Sequence, residues 1–309
     1  MVPMNQSKNI LLSGASGLVG KALQKELVNL GYSVYKLVRH KPSHNEFQWN
    51  AVDSIEIPLD FPIHSVIHLS GENVAAGRWN KKLKQRIYDS RILSTRLLVS
   101  AMKSMMNAPK TFICASAVGI YGNRGDEVLT ENKTDNVSNK GFLVSVAHDW
   151  EREARKYSES KPGTRTLNAR IGVVLSPEGG ALEKMLPVFK MGMGGPLGNG
   201  QQYMSWISIS DLVRAFVYCL DNKDISGPVN FCSPEPLRNS EFTKILGSFL
   251  NRPTLVPAPV FGLKLALGEM AEELLLSSTR AVPEMLVKHG FEFEHNSLES
   301  ALLTEIGES

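Results

Sequence analysis

The chain has 309 residues, 42% of them hydrophobic and 21% charged, and carries a net charge of +3. That balance excludes a disordered chain, and the dispersed signs leave no basic footprint for nucleic acid. No apolar run reaches the roughly 18 residues of a membrane span and no apolar leader opens the sequence, so a cytoplasmic protein with no membrane partner is expected.

Asn9 to Gly20 carries the strongest signal. A short apolar run over Ile10–Ser13 reads as a buried strand, Gly14, Gly17 and Gly20 follow at a spacing of three, and Lys21–Leu30 has an amphipathic helical pattern. Strand, glycine turn and helix in that order predict a dinucleotide site. Gly14 permits the tight turn, Gly17 lets backbone approach a pyrophosphate, and Gly20 lets the helix pack on the strand. Ser33–Val38 is the second strand and ends in Arg39-His40-Lys41, with no Asp or Glu between Glu26 and Glu46. An acidic residue there would hold an NAD ribose, whereas Arg suits the 2′-phosphate of NADP. The expected cofactor is therefore NADP(H), with Arg39 as selector and His40 as its helper.

Ser54–Pro58 reads as a poor third strand or a loop. Ser65–Ser70 is a buried strand, in which His68 is expected to be a packed core residue, and it ends in Gly71-Glu72-Asn73. A long helix is predicted from about Lys81 to Met106. On its apolar face (87, 91, 94, 98, 101, 105), Arg91 and Ser94 interrupt the stripe. An inward Arg at the cofactor edge of a sheet is costly unless it meets an anion, which makes Arg91 a candidate ligand to the cofactor.

Thr111–Ser116 and Arg165–Ile171 are further strands, with a helix over Gly141–Tyr157 between them. Alternating strands and helices predict an α/β fold with a doubly wound, mostly parallel Rossmann sheet. The nucleotide domain is placed at residues 1–176, with a return of the chain at about 206–231. A smaller, α-rich substrate or cap lobe is placed at 177–309. Its features are a helix over Ala181–Lys190, a glycine loop over Gly192–Gly200, a strand at Trp206 and a helix capped at Ser210-Asp211. Another helix is capped by Asn239, and a Leu-rich helical tail runs to Ile306. Cys114, Cys219 and Cys232 lack metal-ligand spacing and read as reduced thiols, so no metal is expected.

These residues together resemble the extended and atypical branch of the short-chain dehydrogenase/reductase superfamily. The match lies in Gly14-Ala-Ser-Gly17-Leu-Val-Gly20, Val66-Ile-His68-Leu-Ser70, Ser116-Ala-Val-Gly-Ile-Tyr121-Gly122 and Trp206-Ile-Ser-Ile-Ser-Asp211. Within it the chain is similar to epimerase family proteins often labelled cell division inhibitors, through Arg78-Trp79, Ser90-Arg91, Gly194-Gly-Pro196 and Pro236-Leu-Arg-Asn239. The resemblance implies NADP(H) contacts near Ser16, Gly17, Leu18, Val19, Val38, Arg39, Leu69, Ser70, Arg91 and Val173.

One departure stands out. Catalytic members of the superfamily carry a Tyr and, four residues on, a Lys; here those positions are Leu143 and Ala147, and no such pair occurs anywhere in the chain. Loss of a positioned acid/base typically costs 10²–10⁴-fold. Ser116, at the substrate-side position, and Tyr121 are the candidate catalytic residues that remain, with Glu72 and His148 behind them. Two readings follow. One is an oxidoreductase or epimerase with a relocated acid/base and a small-molecule substrate. The other is a non-catalytic NADP(H)-binding redox sensor or regulator. The oligomeric state, monomer or homodimer, stays open.

Overall fold

The computed structural model describes residues 9–133 and 141–307. Seven parallel strands form the central sheet: β1 (Asn9–Ser13), β2 (Ser33–Val38), β3 (Glu46–Gln48), β4 (Ser65–His68), β5 (Thr111–Ala117), β6 (Arg165–Ile171) and β7 (Gly227–Phe231). Their spatial order is β7-β6-β5-β4-β1-β2-β3. The order reverses beside β1, so a crevice opens at the carboxyl ends of β1 and β4, where doubly wound sheets bind ligands.

Both faces of the sheet are covered, and for that reason its central strands are buried, with apolar cores such as Ile10–Leu12, Val66–Ile67 and Phe112–Cys114. On one face α1 (Leu18–Asn29) and α5 (Ile209–Asp221) bury Leu23, Leu27, Leu212 and Phe216 against Ile10, Leu12, Ile67 and Phe231. On the other, α2 (Lys81–Ser104) and α3 (Phe142–Ser160) bury Ile92, Leu98, Trp150 and Tyr157 against Leu11, Val66 and Phe112. A separate core joins α4 (Gly180–Lys190), α6 (Asn239–Phe249) and α9 (Leu298–Ile306) around Trp206. Short ladders stitch this lobe to the sheet domain: Trp206–Ser208 runs parallel to Val173–Leu175, and Arg280–Ala281 parallel to Val128–Leu129.

Several boundaries differ from the sequence reading. The third strand is Glu46–Gln48, not Ser54–Pro58. Lys36 pairs in register with Glu46 and bonds its carboxylate at 2.7 Å, while Phe47 packs between Tyr35 and Phe61. Ser54–Pro58 contributes a single bridge, Ile55 to Trp49, because the Asn50 side chain accepts from the N–H groups of Val52, Asp53 and Ser54 and folds the chain back there. Helix α1 starts at Leu18, three residues early, since the glycine turn is tighter than the apolar pattern conveys. Ser208, not Ser210, caps α5 by accepting from Asp211 N at 3.1 Å. Arg238, not Asn239, is the residue preceding α6; the Asn239 side chain instead accepts from Leu197 N and ties down the glycine loop. The tail is less helical than expected. It holds α7 (Val260–Leu267), a π-type turn at Ala271–Leu275, α8 (Glu284–Lys288) and α9, and Gly268 at φ +63° ends α7.

Candidate cofactor and substrate site

The parallel sheet delivers the ends of β1, β2, β4, β5 and β6 to one edge. At β1 the chain turns at Gly14, whose φ of +73° suits glycine; a Cβ there would lie 2.7 Å from the Leu69 carbonyl carbon. A Cβ on Gly20 would run into the Gly14 carbonyl oxygen. Gly17 N donates to Gly14 O at 3.0 Å, and Gly17 then stands at the N-cap of α1 with no side-chain cap. No acidic residue occupies the first turn. The backbone N–H groups and positive dipole end of α1 therefore face the crevice uncapped, as an anion requires. Ser16, Leu18 and Val19 surround that terminus, and the Leu69-Ser70 backbone forms the opposite wall.

At the end of β2, Val38 is followed by Arg39, which is exposed. The nearest acidic residue in sequence, Glu46, is held well down, to about 2, chiefly by the Lys36 ammonium and by Ser43. It also meets His40 Nε2 at 3.3 Å. His40 is thus drawn toward β3, while Arg39 stays exposed at the strand end.

The two polar interruptions of α2 have structural partners. His68 is buried between Ser13 Oγ at 2.6 Å and Ser94 Oγ at 3.2 Å, and burial pushes its pKa down to about 3, so it stays neutral. Arg91 Nη1 donates to the carbonyls of Glu72 (3.0 Å) and Ile87 (3.1 Å), and its guanidinium lies over the Trp150 ring. Burial lowers its pKa to about 10, with the nearby Glu72 opposing the shift. The Glu72 carboxylate itself is engaged by Arg86 at 3.2 Å, which removes it as a cavity acid. Arg91 is left as a desolvated cation on the cavity wall with carbonyls but no carboxylate bonded to it, a place for a ligand anion.

Beyond Arg91 a cavity of about 1450 Å³ opens between the sheet edge and the C-terminal lobe. Its floor is Ala115–Gly119 at the end of β5 and Ile171–Val173 after β6; Leu143, Val144 and Ala147 of α3 form one side. Leu143 and Ala147, where the superfamily carries its Tyr and Lys, do face the cavity, so the wall is apolar where a proton donor would stand. Opposite it lie the glycine loop at Leu197–Asn199 and the segment Glu273–Thr279.

The two candidate catalytic residues fare differently. Ser116 lines the cavity floor, and its hydroxyl donates to Glu151 Oε1 at 2.8 Å. Tyr121 is fully buried and does not reach the cavity. Its hydroxyl donates to Asn230 Oδ1 (2.8 Å) and accepts from Arg170 Nη1 (2.9 Å), and burial raises its pKa to about 12. A phenol so enclosed supports the packing of β7 against β6 and has no path to a substrate. His148 is half-buried, and desolvation lowers its pKa.

Sequence reasoning missed two groups. Glu151 and Arg170 form a buried bidentate pair (2.8 and 2.9 Å) beneath Ser116; the signal was an Arg near the cavity end of a buried strand. Glu273, from the C-terminal lobe, accepts from Phe142 N (2.8 Å) and Leu143 N (2.7 Å) and so caps α3 at the cavity wall. No local pattern in the sequence announces a cap supplied from 130 positions away.

A parallel sheet with this strand order, a glycine-turned phosphate cradle at its switch point and a cavity under a C-terminal lobe defines a nucleotide-binding Rossmann protein of the short-chain dehydrogenase/reductase type. Residues 10–231 match the model of the NAD dependent epimerase/dehydratase family, and the chain belongs to that family. Residues 258–304 match a domain of unknown function, DUF1731. Epimerase family protein Mb2239 of Mycobacterium bovis is 41% identical over 295 residues, 95% of this chain and 96% of that protein. Epimerase family protein YfhF of Bacillus subtilis is 37% identical over 302 residues, 95% and 96% of the two chains. Among solved structures, human epimerase family protein SDR39U1 with NADPH superposes with a TM-score of 0.88 at 26% identity, covering 97% of this chain and 100% of that one. A nucleoside-diphosphate sugar epimerase from Corynebacterium glutamicum gives 0.78 at 33% identity, covering 97% of this chain and 58% of its own.

Proposed function

We propose that the protein is an NADP(H)-dependent oxidoreductase or epimerase-like enzyme that acts on a small molecule without the usual Tyr–Lys pair. The observation that carries this reading is the uncapped α1 N-terminus lying on the same sheet edge as Arg39, Arg91 and the large cavity. Bound NADP(H) would supply or accept a hydride at its nicotinamide. The chain's own part is to hold the pyrophosphate on the N–H groups of Gly17–Gly20 and the 2′-phosphate on Arg39. Leu69, Ser70, Arg91 and Val173 then flank the path from β4 to the cavity. The human relative's structure with NADPH favours the phosphorylated cofactor.

Calorimetric titration tests the cofactor. NADPH should bind more tightly than NADH, and Arg39→Ala should weaken NADPH about 10- to 150-fold, the equivalent of one charge-assisted bond of roughly 1.5–3 kcal/mol, with NADH unaffected. Equal binding of both cofactors by the wild type would refute the selection.

The apolar Leu143–Ala147 wall favours a second reading, a cofactor-binding sensor that performs no turnover. NADPH oxidation with a panel of carbonyl compounds separates the two. In the enzyme reading Ser116 swings its hydroxyl from Glu151 toward the substrate oxygen, and Ser116→Ala slows turnover on the order of 10²-fold. A wild type that binds NADPH and oxidises none of the panel supports the sensor.

A further inference from the structure

Helix α7 reads Val-Phe-Gly-Leu-Lys-Leu-Ala-Leu, yet none of its residues is buried. Phe261 and Leu265 point outward together with Leu255, Val256, Met191 and Met193, each between 63% and 87% exposed. These side chains come from one continuous surface. Gly198 N donates to Ala258 O and Ala258 N to Pro196 O, so the glycine loop and the strap before α7 run side by side. Arg252 Nε donates to Lys190 O at 2.8 Å and joins the strap to the end of α4. Monomeric proteins seldom expose contiguous apolar surface on this scale without a partner for it.

The charges around the patch identify the partner. Lys184, Lys190 and Arg252 are exposed at its rim, and none of them forms an ion pair among the described residues. Lys184 shares a stripe of α4 with Val188 and Met191. The carboxylates on the α7 side are already engaged: Glu269 by Lys84, Glu272 by Lys264, and Glu273 by the α3 backbone. The one carboxylate on α4, Glu183, adjoins Lys184 and lies about 10 Å along the helix from Lys190. A second copy docked through a two-fold axis would set this same cationic rim against itself, and like charges placed opposite one another repel. An anionic lipid surface satisfies both the apolar centre and the basic rim.

We propose that the face formed by the end of α4, the 252–259 strap and α7 seats the protein on an anionic phospholipid bilayer. Phe261, Leu265, Leu255 and Met191 enter the headgroup–acyl boundary, and Lys184, Lys190 and Arg252 meet the lipid phosphates. No helix of the described chain is long and apolar enough to cross a membrane, so the association is interfacial. Val260 and Lys264, each one position before Phe261 and Leu265 and so on the adjacent face of α7, line the cavity, which places the cavity beside the lipid-facing surface. The sequence-based expectation of no membrane partner rested on spans and leaders, and neither registers a surface assembled from two separate segments.

Co-sedimentation of the full chain with vesicles tests this. The protein should pellet with vesicles of mixed phosphatidylglycerol and phosphatidylcholine and remain in the supernatant with phosphatidylcholine alone. The double variant Phe261→Asp/Leu265→Asp should abolish pelleting. Lys190→Glu/Arg252→Glu should reduce it more than about tenfold, and added salt should do the same to the wild type. All four positions are exposed, so unchanged thermal melting and NADPH titration would show that the variants remain folded. Wild-type protein that stays in the supernatant with both vesicles overturns the proposal, as does a self-associated state that Phe261→Asp/Leu265→Asp dissociates. Either failure leaves the NADPH titration, and with it the cofactor reading, intact.

Discussion

Arg170 stands inside the sheet with its charge kept, and the residues around it explain why. Burial works against the guanidinium, but the bidentate Glu151 carboxylate more than offsets it and raises the Arg170 pKa. The remaining Nη1 donates to Tyr121 and to the Glu131 carbonyl. Glu131 is less well served. Its Oε1 accepts from Asn230 N (2.9 Å) and Met285 N (3.2 Å), while the buried Oε2 has no partner. Burial raises its pKa above the ordinary 4.5, and the backbone bonds only partly oppose that shift. The folded chain thus holds this proton to higher pH than the unfolded chain does. The stability linked to it is fully present below the ordinary carboxyl pKa and is lost as pH rises through the raised folded value. Glu131→Gln keeps the Oε1 acceptor and carries no charge. Melting curves should show the variant losing less stability than wild type above pH 4.5 and exceeding it at neutral pH. Parallel curves would mean that Glu131 is neutralised by something else.

Among the elements, those with a local cause were legible in the sequence. β1, β2, β4 and β5 are largely apolar or β-branched runs bounded by turn residues, and the Gly14–Gly17–Gly20 turn depends on its own backbone. Arg91 was found as a break in a helical stripe, and it does reach the cavity wall. The misreadings share a physical origin in partners distant along the chain. Tyr121 looked available beside Ser116, but its hydroxyl is taken by Asn230, 109 positions away, and by Arg170. β3 is short and polar, and it becomes a strand because Lys36 and Tyr35 of β2 supply an ion pair and a ring to pack on. The start of α3 was read at Gly141, its N-cap, but the cap that Glu273 supplies was not. Helix α7 lies within the tail read as Leu-rich and helical, but periodicity cannot tell which apolar helices a fold leaves uncovered.

At the scale of the whole molecule, the nucleotide-binding half is discontinuous in sequence: residues 1–176 are joined by the return of the chain read at about 206–231. β7 pairs with β6 over Gly227–Phe231, and α5 shares its core with α1, so the nucleotide-binding half is finished by chain that follows the first lobe segment. A chain ending at Ser176 would expose the outer edge of β6 as an unpaired strand. It would also lose Leu212, Phe216, Ile225, Val229 and Phe231 from the cluster that covers Leu23, Leu27 and Leu167. At about 1.5–3 kcal/mol for each buried side chain, that is roughly 8–15 kcal/mol, an upper estimate because unfolded chains already bury some surface. Domains are typically stable by only about 5–15 kcal/mol. The chain 1–176 should therefore show no cooperative thermal transition by circular dichroism and should aggregate, although it contains the glycine turn, Arg39 and Arg91. NADPH should not rescue it, since its phosphate cradle hangs on a β1–α1 pair whose outer packing is gone. A cooperative melt, or NADPH binding within tenfold of the full chain, would show instead that six strands close the sheet unaided.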